Sequence, residues 1–339
     1  MPVRKGSFEE GRSVLVLSRQ EVEGLLDPDR LVDALAQAMV DLSAGRCSMP
    51  SRIAAAVPQR DGMLAAMSAY LPSSQALATK LVTLFPHNTD LPLHQAVIVA
   101  FDPSNGTPLA LMDGTAITAA RTAAGSALAT RLLARTDAAV LAVLGTGVQA
   151  RSHLRAVPRV RALREIRIAG RDERKARALA AEVSGALDVP VRAVASYAEA
   201  LAGADIVCAT THSPEPVVRR EWLSPGVHIN SVGYSLEGRE VDGRTVADAL
   251  LVVESRDATL APPPTGSNDL QLAMRDGLIG PEHVHAEIGE LVAGSRPGRT
   301  SRDQITLYKS VGVAVQDAAA AALVLAAARA RGVGTEVAL

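Results

Sequence analysis

Two kinds of residue in this chain have types and spacing suited to chemistry: a glycine pattern and a few isolated cations. Val140–Leu144 is an apolar run that leads into Gly145-Thr-Gly147-Val148-Gln149-Ala150. This is a G-x-G-x-x-A pattern. Gly145 allows a tight turn, Gly147 allows close approach of a pyrophosphate, and Ala150 lets the following helix pack on the strand. Free N–H groups at that helix start would hold phosphate charge. Lys80 is the only charge in the row Ala78, Lys80, Val82 and Leu84, which alternation puts on one strand face. It is either a lysine held for a ligand, with a pKa that burial lowers, or one that snorkels to water. Arg121 lies beside the apolar stripe Ile117, Ala120, Ala124, Leu128 and Leu132, so its charge is either paired within the fold or turned to a ligand.

The elements that must position these residues fall into two parts. Before residue 114 the pattern predicts a strand at 14–17 and a helix opened by Asp27-Pro28 and ended by Gly45. Strands then follow at 53 onward, 62–70, 76–84, 95–101 and 108–112, giving a mixed sheet with a helix. Asp113-Gly114 opens a helix over about 115–135. From 139 strands and helices alternate, with strands at 139–144, 165–169, 190–194, 205–210, 228–232 and 250–253. Six such strands predict an α/β fold: a doubly wound parallel Rossmann sheet, joined to a second α+β domain. Ser301–Gln304 reads as a helix cap and 304–330 as one long helix returning to the first domain. Its Ala-rich apolar part is broken by Gln316 and Asp317, so it reads as a packed helix, not a membrane span.

Composition removes other classes. The net charge is −1 with no basic tract, and aromatics make up only 2% of residues, so neither nucleic-acid binding nor base stacking is indicated. Cys47 and Cys208 lie in no C-x-x-C pattern and read as reduced thiols, as in a cytoplasmic protein. No N-terminal stretch combines basic residues, an apolar run and a cleavage site. His283-x-His285 offers too few ligands for a metal site. His94 is a candidate for proton delivery, and His153 reads as structural.

Several stretches together resemble the ornithine cyclodeaminase/mu-crystallin family. They are Lys80-Leu-Val-Thr83, His94-Gln95, Phe101-Asp-Pro-Ser-Asn-Gly-Thr107, Met112-Asp-Gly-Thr115 and Ile117-Thr-Ala-Ala-Arg121-Thr-Ala-Ala124. The series continues with the glycine loop, His153 and Ile305-Thr-Leu-Tyr-Lys-Ser-Val-Gly312. The resemblance implies a substrate and dimerisation domain (1–114 and 313–339), a Rossmann domain (115–312) and a homodimer. It makes Arg52, Lys80 and Arg121 the substrate-binding cations, suited to a carboxylate by their charge and by the guanidinium forks. Lys80 is also the candidate catalytic residue. Cofactor contacts are implied at Arg121, Gly145, Gly147, Val148, Gln149, Gly170, Arg171, Thr210, Asn230, Ser231, Val232 and Val311.

Cyclodeaminases of the family carry an aspartate in a Gly-Gly-Asp-x-Pro-Gly-Lys pattern. This chain has Gly233-Tyr-Ser235-Leu-Glu-Gly-Arg-Glu240 there, with Ser235 as the nearest match to the aspartate. Serine is no base at neutral pH. The expectation is therefore an NAD(P)H-dependent reductase of a small cyclic imino acid, Δ1-pyrroline-2-carboxylate or Δ1-piperideine-2-carboxylate. The alternatives are an ornithine cyclodeaminase, an alanine-dehydrogenase-like enzyme and a non-catalytic ligand carrier. Arg171 suits the 2′-phosphate of NADPH, with NADH possible; in the rival reading Asp172 binds the ribose and Arg171 faces solvent.

Overall fold

The computed structural model describes residues 13–338; the expectation about an N-terminal targeting stretch falls largely outside them. Ser13–Leu17 (β1) is followed by Arg19–Leu25 (α1) and Pro28–Ser43 (α2). Asp27 caps α2 by accepting from the Asp29 and Arg30 amides at 3.0 Å. Its apolar positions, Leu31, Leu35, Ala38 and Met39, are buried. Each of the larger side chains contributes about 2 kcal/mol of burial free energy. Ile53–Val57 (β2), Gly62–Leu71 (β3), Ala76–Leu84 (β4), His94–Phe101 (β5) and Pro108–Asp113 (β6) complete the first run of strands. Asp113 then caps Gly114–Leu133 (α3) by accepting from the Ala116 amide at 2.6 Å.

The second run is Val140–Leu144 (β7), Val148–Ala156 (α4), Glu165–Ala169 (β8), Glu173–Ser184 (α5), Val191–Ala193 (β9), Tyr197–Leu201 (α6), Ile206–Ala209 (β10) and His228–Ser231 (β11). It continues with Gly243–Asp248 (α7), Leu250–Val253 (β12), Arg256–Leu260 (α8), Asn268–Arg275 (α9), Val284–Glu287 (β13), Ile288–Val292 (α10) and Thr306–Lys309 (β14). The chain closes with Ala314–Arg331 (α11) and Thr335–Ala338 (β15).

These strands form two sheets. The first is mixed, in the order β15-β1-β6-β5-β4-β3-β2, with β1 parallel to β6 and every other pairing antiparallel. The second is wholly parallel, in the order β13-β12-β14-β11-β10-β7-β8-β9. The order reverses at β7, with β8 on one side and β10 on the other, and this reversal makes the crevice where doubly wound sheets bind ligands. One core joins α2, α3, α11 and the inner face of the first sheet; two others cover the two faces of the parallel sheet.

Three expectations are corrected. The long helix expected over 304–330 is two elements: β14 lies between β11 and β12, and α11 begins only at Ala314. Gly312, at φ +76°, makes the break. The parallel sheet has eight strands, not six, because β13 and β14 are four-residue strands whose short apolar pattern a helix can also show. The single stripe expected on α3 is replaced by burial on all sides, since α3 lies between the first domain's core and the parallel sheet. The capping box of α1, Ser18 with Glu21, is a local signal that marks a helix start.

Candidate active site

The glycine loop leaves β7 at the crevice. Gly145 has φ +116°, and a Cβ there would lie 2.6 Å from Thr210 Oγ1. Gly147 is the N-cap of α4, and a Cβ on it would meet nothing within 4 Å, so the space beyond the loop is open to a ligand. Gly170 faces Thr146 closely, with a Cβ at 2.8 Å from Thr146 Cγ2. Val148 is exposed, and Gln149 Oε1 is a buried acceptor without a hydrogen-bond partner. A cradle open on one side, with an unpartnered buried acceptor at the helix start, fits a dinucleotide. Arg171 is exposed at the end of β8. Asp172 Oδ1 instead accepts from the Arg174 and Lys175 amides at 2.9 and 3.4 Å, so this carboxylate is engaged in capping α5.

The expected cations meet at one place. Lys80 is buried, and its Nζ lies 2.7 Å from Asp317 Oδ2. The contact is a buried ion pair, and an ammonium has three N–H donors, so Lys80 can pair with Asp317 and still offer a donor to another oxygen. Arg121 donates through Nε to Asp317 Oδ1 at 3.1 Å and through Nη1 to Gln316 Oε1 at 2.9 Å. Arg52 donates through Nη2 to the carbonyl oxygens of Gly312 at 2.9 Å and Val311 at 3.4 Å. Both Arg52 bonds use one nitrogen, leaving the rest of the fork for an anion. Burial, with the cations Arg121 and Arg52, lowers Lys80 to a pKa of about 8, against the pull of Asp317. Burial works against the charge of Asp317, yet Lys80 and Arg121 outweigh it and hold that carboxyl below its ordinary value.

Sequence reasoning treated Gln316 and Asp317 only as breaks in an apolar helix. In the structure they are the partners of Arg121, and Asp317 is also the partner of Lys80. Glu254 is a third missed residue. Fully buried after β12, it accepts from Ser310 Oγ at 2.8 Å, Val311 N at 2.9 Å, Gly312 N at 2.7 Å and Gln316 Nε2 at 2.9 Å. It therefore shapes the turn that carries the acceptors of Arg52. Gly312 is required in that turn, because a Cβ there would lie 2.9 Å from Arg121 Nη2. Three cations face two carboxylates in this cluster, leaving one positive charge for an anionic ligand.

A further buried network holds the loops beside the crevice. Lys309 Nζ pairs with Asp269 Oδ2 at 2.8 Å and donates to Ser231 Oγ at 3.0 Å and Gly233 O at 2.9 Å. Glu240 accepts from Thr211 N at 2.6 Å and Gly233 N at 2.9 Å. Burial raises the Glu240 pKa, with Lys309 opposing. Among the expected cofactor residues, Thr210 abuts Gly145 and Val311 holds Arg52. Val232 extends β11 by donating to Ala209 O at 3.0 Å. The Asn230 side chain points into the fold, where its Nδ2 donates to Thr130 Oγ1 at 3.0 Å. The Ser235 hydroxyl accepts from the Glu237 amide at 3.2 Å and closes its own turn. Tyr234 donates to Pro264 O at 2.9 Å. His94 on β5 and His212 on the loop after β10 stack with ring centroids 6.0 Å apart. His153 is buried between Ser126 Oγ at 2.8 Å and Gln149 O at 2.7 Å, as a structural residue. His283 and His285 each bond a backbone carbonyl, and the described residues contain no metal-binding cluster.

A Rossmann domain whose crevice opens beside a buried cluster of lysine, arginines and aspartate defines a nicotinamide-dinucleotide enzyme acting on a small carboxylate. The chain belongs to the ornithine cyclodeaminase/mu-crystallin family, whose model matches residues 12–332. It is 39% identical over 320 residues to the ketimine reductase mu-crystallin of Mus musculus, covering 92% of this chain and 97% of that protein. The structure of Thermococcus litoralis Δ1-pyrroline-2-carboxylate reductase with NADH and L-proline superposes with a TM-score of 0.91. The two chains are 40% identical, and the match covers 96% of this chain and 100% of the other. An archaeal alanine dehydrogenase dimer with bound NAD matches with a TM-score of 0.88 at 31% identity, over 96% of this chain and 99% of that one. No helix among the described residues is long and apolar enough to cross a membrane.

Proposed function

We propose that this chain is an NAD(P)H-dependent reductase of small cyclic imino acids, taking Δ1-pyrroline-2-carboxylate or Δ1-piperideine-2-carboxylate to the cyclic amino acid. One observation carries the reading: Lys80 and Arg121 share Asp317 beside Arg52, with one positive charge left over, at the carboxyl edge of the parallel sheet. A substrate carboxylate neutralises that charge and takes a bidentate place on a guanidinium fork. The dinucleotide supplies the hydride. The protein's own residues bind the carboxylate, hold the ring in one orientation and exclude water. Gly145, Gly147 and the start of α4 hold the pyrophosphate. With Asp172 engaged as a cap, Arg171 takes the 2′-phosphate, which favours NADPH over NADH. In this reading residues 1–114 with 313–339 form the substrate and dimerisation domain, and 115–312 form the cofactor domain.

Two copies of the chain pair through the outer face of the first sheet. Register places Ile53, Leu64 and Val97 on the face opposite Lys80, and they are 73%, 43% and 40% exposed. A row of exposed apolar side chains reaching the edge strand β2 is a surface that a second copy can cover.

The deciding experiment follows absorbance at the nicotinamide band with NADPH or NADH and each cyclic imine, with ornithine plus NAD run in parallel. Cofactor oxidation that is lost in Lys80→Ala and Arg121→Ala supports the reductase. Ammonia from ornithine without imine reduction would refute it.

A further inference from the structure

We propose that His94 is the proton donor to the imine nitrogen and that His212 is the positioning residue through which solvent restores that proton. This rests on the reductase reading above. Strand register carries the first part of the argument. Lys80 pairs with Ile98, Val82 with Ala96, and Leu84 with His94. Lys80 and His94 therefore share the inner face of the first sheet, two steps of side-chain alternation apart. Four residues of strand span about 13 Å, an interval that a lysine side chain, a small ring acid and an imidazole can fill between them. His212 completes the arrangement from the other side. It lies two residues beyond Thr210, which abuts the glycine loop, and its ring stacks on His94 at 6.0 Å with an interplanar angle of 27°. Both histidines are exposed and so keep contact with solvent.

The other polar side chains around the cleft are engaged elsewhere. Lys80 is ion-paired with Asp317 and, in the reductase reading, holds the substrate carboxylate, and the guanidinium groups of Arg52 and Arg121 do not release protons. The Tyr234 hydroxyl donates to Pro264 O and burial raises its pKa. The Ser235 hydroxyl closes a turn, while Glu240 and Asp269 are buried with Lys309. The charged and titratable groups that act on His94 are Lys80 on β4 and His212 beyond β10, and no carboxylate among the described residues forms an ion pair with either histidine. Burial, His212 and Lys80 hold His94 below its ordinary pKa, and burial does the same for His212, so the donor form gains as pH falls.

The proton balance is simple. As the new C–H bond forms, the π pair of the C=N bond moves onto nitrogen, and that nitrogen takes one proton. The imidazolium N–H bond of His94 breaks, an N–H bond of the product forms, and neutral imidazole remains. Water then returns a proton to His94 by way of His212.

The test measures kcat and KM against pH for the full-length protein with NADPH and Δ1-pyrroline-2-carboxylate, comparing wild type with His94→Ala, His94→Gln and His212→Leu. A parallel NMR titration follows the His94 imidazole nitrogens with L-proline as the probe. We expect both His94 variants to lose about 100-fold in kcat with KM for the imine nearly unchanged, and to lose the gain toward acid pH. Free imidazole should restore kcat in His94→Ala, which a purely structural role would not allow. His212→Leu should lower kcat about tenfold and recover as buffer concentration rises. L-Proline should shift the His94 titration. Wild-type kcat in His94→Gln, a loss confined to KM for NADPH, or a His94 titration indifferent to L-proline would each overturn the proposal. If wild type oxidises no cofactor with either imine, the reductase reading fails instead, and the NMR titration still decides whether His94 meets the ligand.

Discussion

Replacing Asp317 by Asn removes the one carboxylate that Lys80 and Arg121 share. Asp317 Oδ2 is 2.7 Å from Lys80 Nζ. At an effective dielectric of about 20, unit charges at that distance attract by about 6 kcal/mol. Relaxation and water recover much of this, and a remainder of about 2 kcal/mol lowers the Lys80 pKa by about 1.5 units. Wild-type Lys80, at about 8, is mostly charged at pH 7. In Asp317→Asn it is mostly neutral there and regains its charge only as pH falls. Loss of charge alone weakens carboxylate binding about fourfold at pH 7, and release of Arg121 takes the rise in KM to about tenfold. The assay is KM for the imine from pH 5.5 to 8.5. The variant's KM should improve steadily toward pH 5.5, while that of wild type stays flat below pH 7 and worsens above pH 8. Thermal melting of both proteins confirms that the variant is folded. If the two KM profiles coincide in a folded variant, Asp317 does not set the charge of Lys80 and the reasoning is wrong.

Other outcomes follow from the same geometry. Arg171→Ala should raise KM for NADPH about 10- to 100-fold, the loss of charged hydrogen bonds, and change KM for NADH little; steady-state kinetics with both cofactors measures this. Gly312→Ala should raise KM for the imine about tenfold and lower Tm by several degrees, because a left-handed backbone costs about 1–2 kcal/mol and the new Cβ meets Arg121 Nη2 at 2.9 Å. His153 and His228 are buried, with pKa values pushed down to about 4 and about 3. In the unfolded chain both titrate near 6.5, so their neutral forms favour folding above that pH. That contribution is lost as pH falls, by about 1.4 kcal/mol per pH unit for each histidine until its folded pKa is reached. Denaturant unfolding at pH 7 and pH 5 should show the fall, and His228→Asn should lessen it.

The sequence by itself determined the local frame. Asp27-Pro28 before a 3.6-residue pattern gave α2, alternation around Lys80 gave β4, and an apolar run before Gly145-x-Gly147 gave the cofactor crevice. Each of these signals lies within a few neighbouring residues, where backbone sterics and capping act. The cations were legible for a related reason: a charge in an apolar pattern is costly and so conspicuous. Tertiary structure alone decided what they meet. Asp317 is 196 residues from Arg121 in sequence, and only the packing of α11 against α3 and β4 brings its carboxylate to them. The strand β14 was hidden likewise, since four residues from Thr306 to Lys309 give too short a pattern to separate strand from helix. Its place between β11 and β12 comes from hydrogen bonds to distant strands, which carry no local signal. The same holds for the meeting of His94, on β5 of the first sheet, with His212, on the loop after β10, which only the packing of the two parts of the fold brings together.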